Sequence, residues 1–285
     1  MKIVIFGAGA LGRTMRHQIS PPDQLIKFVD NLSTLWGTHI DGVPVESPAC
    51  LKLLPFDKII IASQGGLTST EDNIYDQLLA LGVPERKIDA TFVRCTIMAR
   101  ENWLKHFAVK IQAANIEGHA AEAGVFRGDF ARVINECFPD RFLYLYDTFS
   151  SFPERHLAEE EGDSEVARVL KGYFGSNTSV ERVLAQMPQA EKCRVFEGIF
   201  PDTADGLDEK FCFVNLDMDL YVPTLAGLKI FYPLLAPGGA ILVHDYYNRE
   251  YPGVAKAVDE FSGDHGLANS LYPIGDGISI MLTKV

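Results

Sequence analysis

The sequence predicts an α/β protein built from two doubly wound domains. Short apolar runs, typical of buried parallel strands, alternate with segments of helical spacing along the 285 residues. Glycine-rich turns follow a predicted strand at two places, Gly7 to Gly12 and Gly124 to Gly128. Several apolar runs end in acidic residues, where an open α/β sheet binds its ligands. We predict a first domain over residues 1–95, a linker helix over 96–118 and a second domain over 119–285.

The negative net charge of the chain argues against polyanionic partners. The chain has 26 Lys and Arg against 38 Asp and Glu, which gives a formal net charge of −12, and it has no block of basic residues. Nucleic acid and anionic membrane surfaces are therefore not expected as main partners. No apolar stretch is long enough to span a bilayer, and the apolar N-terminus turns into a glycine-rich segment rather than a signal peptide.

Cysteine usage indicates the compartment. The five cysteines are scattered and form no CxxC pair, which is typical of reduced thiols in a cytoplasm rather than of a disulfide scaffold or a zinc site. They are Cys50, Cys95, Cys137, Cys193 and Cys212. We expect a cytoplasmic protein that forms a homo-oligomer.

The first domain opens with a strand, a glycine-rich turn and a helix. Lys2 to Phe6 is a short apolar strand, and Gly7, Gly9 and Gly12 follow it at GxGxxG spacing. Helical spacing then runs from Leu11 to Ile19. Such a turn lets backbone N–H groups approach a phosphate at the N-terminus of the helix. This start is typical of Rossmann-like domains.

The rest of the first domain completes a small sheet. A strand from Leu25 to Val29 ends in Asp30, close to the distance expected for a carboxylate that binds a ribose. A strand from Lys58 to Ala62 ends in the sequence SQGG, and a helix covers about Asn73 to Leu81. We interpret Gly7, Gly9, Gly12 and Asp30 as a candidate nucleotide site.

A second pattern supports that interpretation and leaves an alternative open. The order VDN, WGTHIDGVPV, SP resembles nucleotide-binding-like domains that are fused to bacterial sugar-modifying enzymes. The resemblance implies binding of a nucleotide or a nucleotide-sugar. The alternative is a degenerate domain that serves packing or dimerisation. The linker that follows, Cys95 to about Asn115, is expected to be a helix that covers the second domain with Trp103, Phe107, Val109 and Ile111.

The second domain begins with a strand and a different glycine motif. The strand starts at His119, and Glu122, Gly124 and Gly128 follow the ExGxxxG pattern of S-adenosylmethionine methyltransferases. The next strand, Phe142 to Tyr146, ends in Asp147, whose carboxylate is placed to accept ribose hydroxyls. The same geometry serves NAD, but the glycine spacing favours S-adenosylmethionine.

Residues 148–187 form a long polar insertion. Its acidic run, Glu159 to Glu165, is more often a solvated helix face than a site, and the length of the insertion suggests a lid. A short strand, Cys193 to Phe196, then ends in Glu197 and Gly198, where an adenine ring would lie.

Two later strands carry the candidate chemistry. Phe211 to Val214 runs into Asn215, Asp217 and Asp219, and Ala240 to Val243 runs into His244 and Asp245. If these strands are neighbours, the acids and the imidazole converge. Carboxylate oxygens with one imidazole suit Mg²⁺ or a similar ion. The alternative is that each acid caps a helix or turn.

The remaining elements close the second sheet. We predict a helix over Val222 to Leu235, a turn over Ala236 to Gly239, and a helix from about Gly253 to Phe261. A terminal hairpin is expected from Leu271 to Tyr272 and from Ile278 to Leu282.

Six blocks in this order resemble the macrocin O-methyltransferase family over about residues 119–285. They are EAGVFRGDFARVI, YLYDTFSSFPE, VFEGIFPDT, NLDMDLYVPTL, LLAPGGAILVHDYY and GVAKAVDEF. The resemblance implies a class I methyltransferase fold, S-adenosylmethionine as methyl donor, and Mg²⁺ that positions a sugar hydroxyl. The residues that it implies around the donor are Glu122, Gly124, Gly128, Asp147, Glu197 and Gly198, beside which we place Arg127 and Thr148.

The resemblance also implies a metal at Asp217, His244 and Asp245. We take Asp217 as the first candidate for the catalytic base and His244 as the second. The family commonly has two acids where this chain has His244 and Asp245, which leaves the identity and the presence of the metal open. The first domain lies outside the usual extent of the family and suggests a nucleotide-linked or glycan sugar as acceptor.

Two other functions stay open at this point. One is an NAD-dependent sugar-nucleotide dehydrogenase or epimerase centred on Gly7 to Gly12. The other is a non-catalytic module that binds a nucleotide-sugar.

Overall fold

The computed structural model describes residues 1–63, 73–160 and 178–284. It contains two compact units, Met1–Met98 and Ala99–Val285, and each unit is built on its own mainly parallel sheet. The predicted α/β class with two doubly wound domains is therefore confirmed.

The N-terminal unit has a six-stranded sheet in the order β3-β4-β2-β1-β5-β6. Its strands are β1 Lys2–Phe6, β2 Gln24–Val29, β3 His39–Ile40, β4 Val43–Glu46, β5 Lys58–Ile61 and β6 Ile88–Asp89, and its described α-helices are α1 Ala10–Arg16 and α2 Ile74–Ala80. All neighbouring strands pair in parallel except β3 with β4. The SQGG sequence after β5 lies, apart from Ser63, outside the described residues.

Helix α1 is shorter than its pattern predicts. It ends at Arg16, whereas helical spacing continues to Ile19. Pro21 and Pro22 follow, and the residue before a proline is disfavoured in the helical region. The prolines therefore limit how far a helix could extend along the apolar pattern, although α1 ends before it reaches them.

Helix α3, Thr91–Ala113, is the longest described helix, and the division between the two units falls within it. It starts before the predicted Cys95 because the Asp89 carboxylate accepts a hydrogen bond from the Thr91 N–H at 3.0 Å. Its buried stripe is Leu104, Ala108 and Ile111, which pack in the core of the C-terminal unit. The prediction that Val109 covers this surface is wrong, because Val109 lies off the stripe and is 64% exposed.

The C-terminal unit has a seven-stranded sheet in the order β12-β13-β11-β10-β7-β8-β9. Its strands are β7 His119–Ala123, β8 Leu143–Asp147, β9 Cys193–Glu197, β10 Phe211–Leu216, β11 Leu235–Val243, β12 Leu271–Pro273 and β13 Ile280–Thr283. Its remaining described α-helices are α4 Asp129–Cys137, α5 Glu154–Ala158, α6 Val180–Leu184, α7 Tyr221–Leu234 and α8 Pro252–Asp264. The terminal hairpin is present, with β13 antiparallel to both β11 and β12.

Strand β10 is central and is buried along its whole length. One face packs on α7 and α8 through side chains such as Phe231 and Val254, and the other packs on α3 and α4. Because both faces are covered, the strand is a continuous apolar run rather than an alternating one. Its neighbours are β7 and β11, so the expected adjacency of the two acid-ended strands is confirmed.

Two predicted features of this unit are the turn before β11 and the lid. The turn predicted at Ala236 to Gly239 belongs to β11, where the pairing with β10 jumps from Leu235 opposite Phe211 to Ala240 opposite Phe213. The strand pairing resumes after this irregularity because Gly238 adopts φ +82° and takes up the extra residues. Residues 161–177, the middle of the insertion predicted as a lid, lie outside the described residues, together with the acidic run after Glu160, and the lid stays a prediction.

Two global features concern compartment. Within the described ranges, no helix is both long and apolar enough to cross a membrane. All five cysteines are free thiols.

Candidate active site

The carboxyl ends of β10 and β11 bring three predicted side chains together. Leu216 pairs with Val243, so the residues that follow leave the sheet side by side. The His244 Nδ1 atom lies 3.1 Å from an Asp217 oxygen and 2.5 Å from an Asp245 oxygen. The other Asp245 oxygen accepts a hydrogen bond from the Asn248 amide at 2.7 Å.

Asp219 belongs to the same cluster. Asp219 and Asp245 have φ values of +62° and +60°, a left-handed conformation that is uncommon outside glycine and is tolerated best by Asp and Asn. Their side chains share a hydrogen bond, and burial together with the charges of Asp245 and Asp217 raises the pKa of Asp219 well above its ordinary value. A proton or a cation is therefore needed between these acids.

The charges of Asp217 and His244 are set by each other. Burial alone would raise the pKa of Asp217, but the positive charges of His244 and Arg100 outweigh it and hold that pKa well below its usual range. Burial opposes the protonation of His244, yet Asp217 and Asp245 raise its pKa to about 10. At neutral pH the pair is therefore a carboxylate and an imidazolium. The His244 Nε2 atom is buried and has no hydrogen-bond partner in the described part of the chain.

Arg100 is a member of the site that sequence reasoning missed. Its guanidinium donates to the Asp217 carboxylate at 3.1 Å and to the Asn215 amide oxygen at 3.0 Å. A signal was available, because Arg100 falls four residues before Leu104 and eight before Ala108, on the buried stripe of α3. A charge on an apolar stripe needs a buried partner.

The residues predicted to bind the methyl donor lie at the same edge of the sheet, beginning with Glu122 at the end of β7. Glu122 is 2% exposed, and one of its oxygens accepts from the Asn215 amide at 2.8 Å. The other oxygen is buried and unpaired among the described residues. Burial, with further contributions from Asp217 and Asp147, raises the pKa of Glu122 well above its ordinary value.

Asp147 organises the turn that follows β7. One of its oxygens accepts from the Val125 and Phe126 N–H groups at 2.6 and 2.8 Å, and the other accepts from the Phe149 N–H at 2.7 Å. Each carboxylate oxygen has two lone pairs, so acceptor capacity remains for a ligand. The carboxylate thus ties the turn after β7 to the end of β8.

The two glycines of the ExGxxxG motif are required by packing. Gly124 has φ +86°, and a Cβ atom there would lie 1.8 Å from the Asp217 carbonyl oxygen. Gly128 has φ +85°, and its Cβ would lie 3.0 Å from the Val183 side chain on α6. Both positions therefore need glycine whether or not a ligand is bound, and Gly124 places β7 directly against the end of β10.

The other predicted donor residues are distributed around this edge. Arg127 is 1% exposed, whereas Glu197 at the end of β9 is exposed. The Gly198 N–H donates to the Asp147 carbonyl at 2.9 Å, and the Thr148 hydroxyl donates to the Ser151 carbonyl at 3.1 Å. The unpaired Glu122 oxygen and the spare acceptors of Asp147 fit a polar ligand with several donors. The binding roles of these residues stay predictions.

The acidic cluster also fits a divalent ion. One ligand atom each from Asp217, His244 and Asp245 can be chosen so that all three lie within 4.8 Å of one another. Carboxylate oxygens suit Mg²⁺ and imidazole nitrogen suits transition ions, so His244 widens the choice beyond Mg²⁺. A ligating His244 has to be neutral, so metal binding would release its proton.

The glycine motif of the N-terminal unit has packing reasons as well. A Cβ atom at Gly7 would lie 2.4 Å from the Ala62 carbonyl oxygen, and one at Gly12 would lie 1.9 Å from the Gly7 carbonyl oxygen. The two Asp30 oxygens accept from the Ala8 and Leu32 N–H groups, each at 2.8 Å. Gly9 is the residue before α1, so no side chain caps the N-terminus of this helix. A nucleotide site here stays a prediction.

A cavity of about 540 Å³ lies elsewhere in the C-terminal unit. Its lining includes Glu117, Lys210 and Leu235, which precede or begin β7, β10 and β11. This is the amino edge of the sheet, opposite to the acids. The cavity therefore lies away from the predicted site residues at the carboxyl edge.

Comparisons with known proteins agree with the geometry. The model of the macrocin O-methyltransferase (TylF) family matches residues 85–283, and a model described as C2185-like, N-terminal matches residues 1–89. The first match begins before the predicted residue 119 and includes α3, the helix that packs in the C-terminal core and carries Arg100.

Individual relatives are distant. The mycinamicin III 3''-O-methyltransferase of Micromonospora griseorubida is 27% identical over 190 residues, which cover 62% of this chain and 73% of that protein. The demethyldecarbamoylnovobiocin O-methyltransferase of Streptomyces niveus is 28% identical over 180 residues, which cover 60% of this chain and 68% of that protein.

Solved structures show the same fold. The O-methyltransferase NovP has a TM-score of 0.57 and 24% identity, and the match covers 66% of this chain and 80% of that chain. The calicheamicin methyltransferase CalS11 has a TM-score of 0.52 and 18% identity, and the match covers 76% of this chain and 88% of that chain. The family match spans more than half of the sequence, so this chain is an O-methyltransferase and belongs to the macrocin O-methyltransferase family.

Proposed function

We propose that this enzyme transfers a methyl group from S-adenosylmethionine to a sugar hydroxyl, with Asp217 as the catalytic base. The observation that carries the proposal is the meeting of Asp217, His244 and Asp245 at the ends of β10 and β11, beside the donor-side carboxyls of β7 and β8. One relative, from Streptomyces olivaceus, carries a rhamnosyl group in the name of its substrate. A sugar acceptor is consistent with that name.

The donor would be held by the residues around the ends of β7, β8 and β9. Asp147 and the unpaired oxygen of Glu122 offer the acceptors, and the turn around Gly124 and Gly128 offers the space. The remaining predicted contacts are Arg127, Thr148, Glu197 and Gly198. The sulfonium of the donor supplies a good leaving group, so these residues mainly orient the reacting carbon.

Asp217 is placed to take the proton of the attacking hydroxyl. Its low pKa keeps it ionised at neutral pH, which also makes it a weak base. His244, whose Nδ1 atom is 3.1 Å from Asp217, is the second candidate, and its raised pKa means that it could accept a proton only after losing the one it carries at neutral pH. Asp217, His244 and Asp245 would hold Mg²⁺ or a related ion. Such an ion, when bound, lowers the pKa of a coordinated hydroxyl.

The acceptor class is a small molecule or a glycan. A nucleotide-sugar is favoured if Gly7, Gly9, Gly12 and Asp30 bind a nucleotide, and a natural-product glycoside is favoured if they do not. The free cysteines support the proposal of a cytoplasmic enzyme, since reduced thiols persist in that compartment. A homo-oligomer is proposed on the sequence alone.

Methyl transfer to a panel of nucleotide-sugars, free glycosides and oligosaccharides tests this function. We expect transfer to at least one sugar, and Asp217→Asn should lower turnover by about 10²–10⁴-fold because it removes the base and keeps the shape. Donor affinity, measured by calorimetry with S-adenosylhomocysteine, should stay unchanged. Asp264→Asn, an exposed acid at the end of α8, is the matched control.

The metal is tested separately. Treatment with EDTA should lower turnover, and added Mg²⁺ or Mn²⁺ should restore it. Calorimetry with the metal alone should show binding that is lost in Asp245→Asn. Full activity of Asp217→Asn on the same sugar would refute the role of Asp217 as the catalytic base. Turnover that is unaffected by EDTA, together with no metal binding in calorimetry, would refute the role of a divalent ion.

A further inference from the structure

We propose that Arg100 is a positioning residue of the methyl-transfer centre, which holds the Asp217 carboxylate in its reactive orientation and links it to the donor side. This inference rests on the proposed role of Asp217 as the base. The guanidinium of Arg100 contacts Asp217 and Asn215, and we infer that its effect runs through these two side chains.

The contacts form a continuous chain across the site. The Asn215 amide donates to Glu122 at 2.8 Å, and its oxygen accepts from Arg100 at 3.0 Å. The same guanidinium nitrogen reaches Asp217 at 3.1 Å, and the other oxygen of Asp217 faces His244 at 3.1 Å. Both Asp217 oxygens are thus engaged from opposite sides, which fixes the plane of the carboxylate.

Arg100 is itself held on a rigid element. The guanidinium lies over the Phe130 ring at 3.9 Å from its centre. The rings of Trp103 and Phe107 stack on each other at 5.2 Å and pack against Phe213 of β10. Helix α3 is therefore packed on the strand that leads to Asn215 and Asp217, and this packing fixes the position of Arg100 relative to these two side chains.

The ion pair is well suited to positioning. The Arg100 and Asp217 side chains are 13% and 23% exposed, so solvent competes weakly for their contact. A guanidinium stays charged at all working pH values and offers several donors in a rigid plane. A lysine at this place would keep the charge but lose the planar group that lies over the Phe130 ring. Orientation of a base matters because small misplacements of reacting groups have large effects on rate.

A purely structural role predicts a different outcome. If Arg100 served only the stability of the fold, its loss would lower the melting temperature but would leave the kcat of the folded variant unchanged. If Arg100 acts through Asp217, its loss has no further effect once Asp217 is gone, because interacting residues are non-additive.

The test is a double-mutant cycle in the full chain. It compares wild type, Arg100→Met, Asp217→Asn and the double variant on the best sugar of the panel. We expect Arg100→Met to lower kcat about 100-fold. We expect the affinity for S-adenosylhomocysteine to stay within about twofold, a change under half a kcal/mol. Arg100→Lys should recover part of the rate, and the double variant should be no slower than Asp217→Asn.

Controls separate folding from positioning. Arg132→Met removes a surface arginine of α4 that pairs with Glu136, and it should leave kcat unchanged. Thermal unfolding verifies that each variant is folded, and Arg100→Lys carries the test if Arg100→Met does not fold. An unchanged kcat in the folded Arg100 variant, or effects that multiply in the double variant, would overturn the proposal.

A second readout needs no acceptor. Crystal structures of wild type and Arg100→Met, each with S-adenosylhomocysteine, should show the Asp217 carboxylate turned away from its 3.1 Å contact with His244 in the variant. An unmoved carboxylate would contradict positioning. Full activity of Asp217→Asn would instead refute the proposed base alone, because the crystal comparison would still decide whether Arg100 orients Asp217.

Discussion

Glu122 is a buried carboxyl whose environment disfavours its charge. Burial is the main cause of its raised pKa, and Asp217 and Asp147 add to it, while Arg100 and Asn215 act in the opposite sense. One oxygen is satisfied by Asn215 and the other is unpaired within the described ranges. Such an atom is costly in the free protein and useful once a ligand donates to it.

Glu122→Gln should therefore separate stability from binding. Unfolded Glu122 loses its proton above about pH 4.5, whereas the raised pKa favours the protonated carboxyl in the folded protein, so the contribution of this group to stability falls as pH rises above that value. Glutamine does not titrate, so the variant lacks this pH-dependent loss of stability. Its melting temperature relative to that of wild type should rise from pH 5 to pH 8. Its affinity for S-adenosylhomocysteine should be lower than that of wild type. Exposed Glu136→Gln is the control. A difference in melting temperature that is independent of pH would contradict the buried acid.

At the scale of elements, the close approach of β7 to β10 depends on one glycine. Gly124 adopts φ +86°, and its missing Cβ leaves room for the Asp217 carbonyl. The Asp217 N–H donates to the Ala123 carbonyl at 2.8 Å, so the two strand ends are joined at this point. The position of Asp217 is thus set by the packing of neighbouring strands.

Gly124→Ala should destabilise the fold by at least about 1–3 kcal/mol, the usual size of a forced left-handed residue, with further loss from the clash. It should also lower donor affinity and turnover together, because both sides of the site meet here. Gly263→Ala in α8 is the matched control, since nothing lies within 4 Å of its Cβ position, and it should be neutral or stabilising by up to about 1 kcal/mol. Chemical denaturation measures both. Equal stability of the two variants would show that the approach of the strands is not tight.

At the scale of the whole molecule, each of the two α/β units carries its own glycine-rich turn after a strand. Only the C-terminal unit combines an ExGxxxG turn with an acid cluster at the same sheet edge, among the residues that the structure describes. The glycine motif of the N-terminal unit is explained by its own packing. A dehydrogenase centred on the N-terminal unit would require NAD to bind there.

Ligand-induced thermal shifts distinguish these functions. S-adenosylhomocysteine at 100 times its dissociation constant should stabilise wild type by about 2.7 kcal/mol, and NAD should give no shift. Asp147→Ala should abolish most of the shift with S-adenosylhomocysteine. A larger shift with NAD, lost in Gly9→Val, would point to nucleotide chemistry in the N-terminal unit.

Much of the fold and part of the site follow from local sequence. The apolar runs of β1, β7, β8 and β10 are long enough to specify buried parallel strands, and acids that follow such runs are bound to lie at the carboxyl edge. Asp147, Asp217, His244 and Asp245 were placed in this way. Short edge strands such as β3 and β6 could not be recognised, because two residues carry no periodic signal.

The sequence by itself determined the two α/β units, the strand-end acids and the methyltransferase family, because these depend on short-range patterns and on the order of motifs. Only the tertiary structure decided which polar groups satisfy one another. Arg100 and Asp217 are 117 residues apart in the chain and meet only when α3 packs on the sheet. Contacts across such separations depend on the docking of a whole helix, which no local pattern encodes.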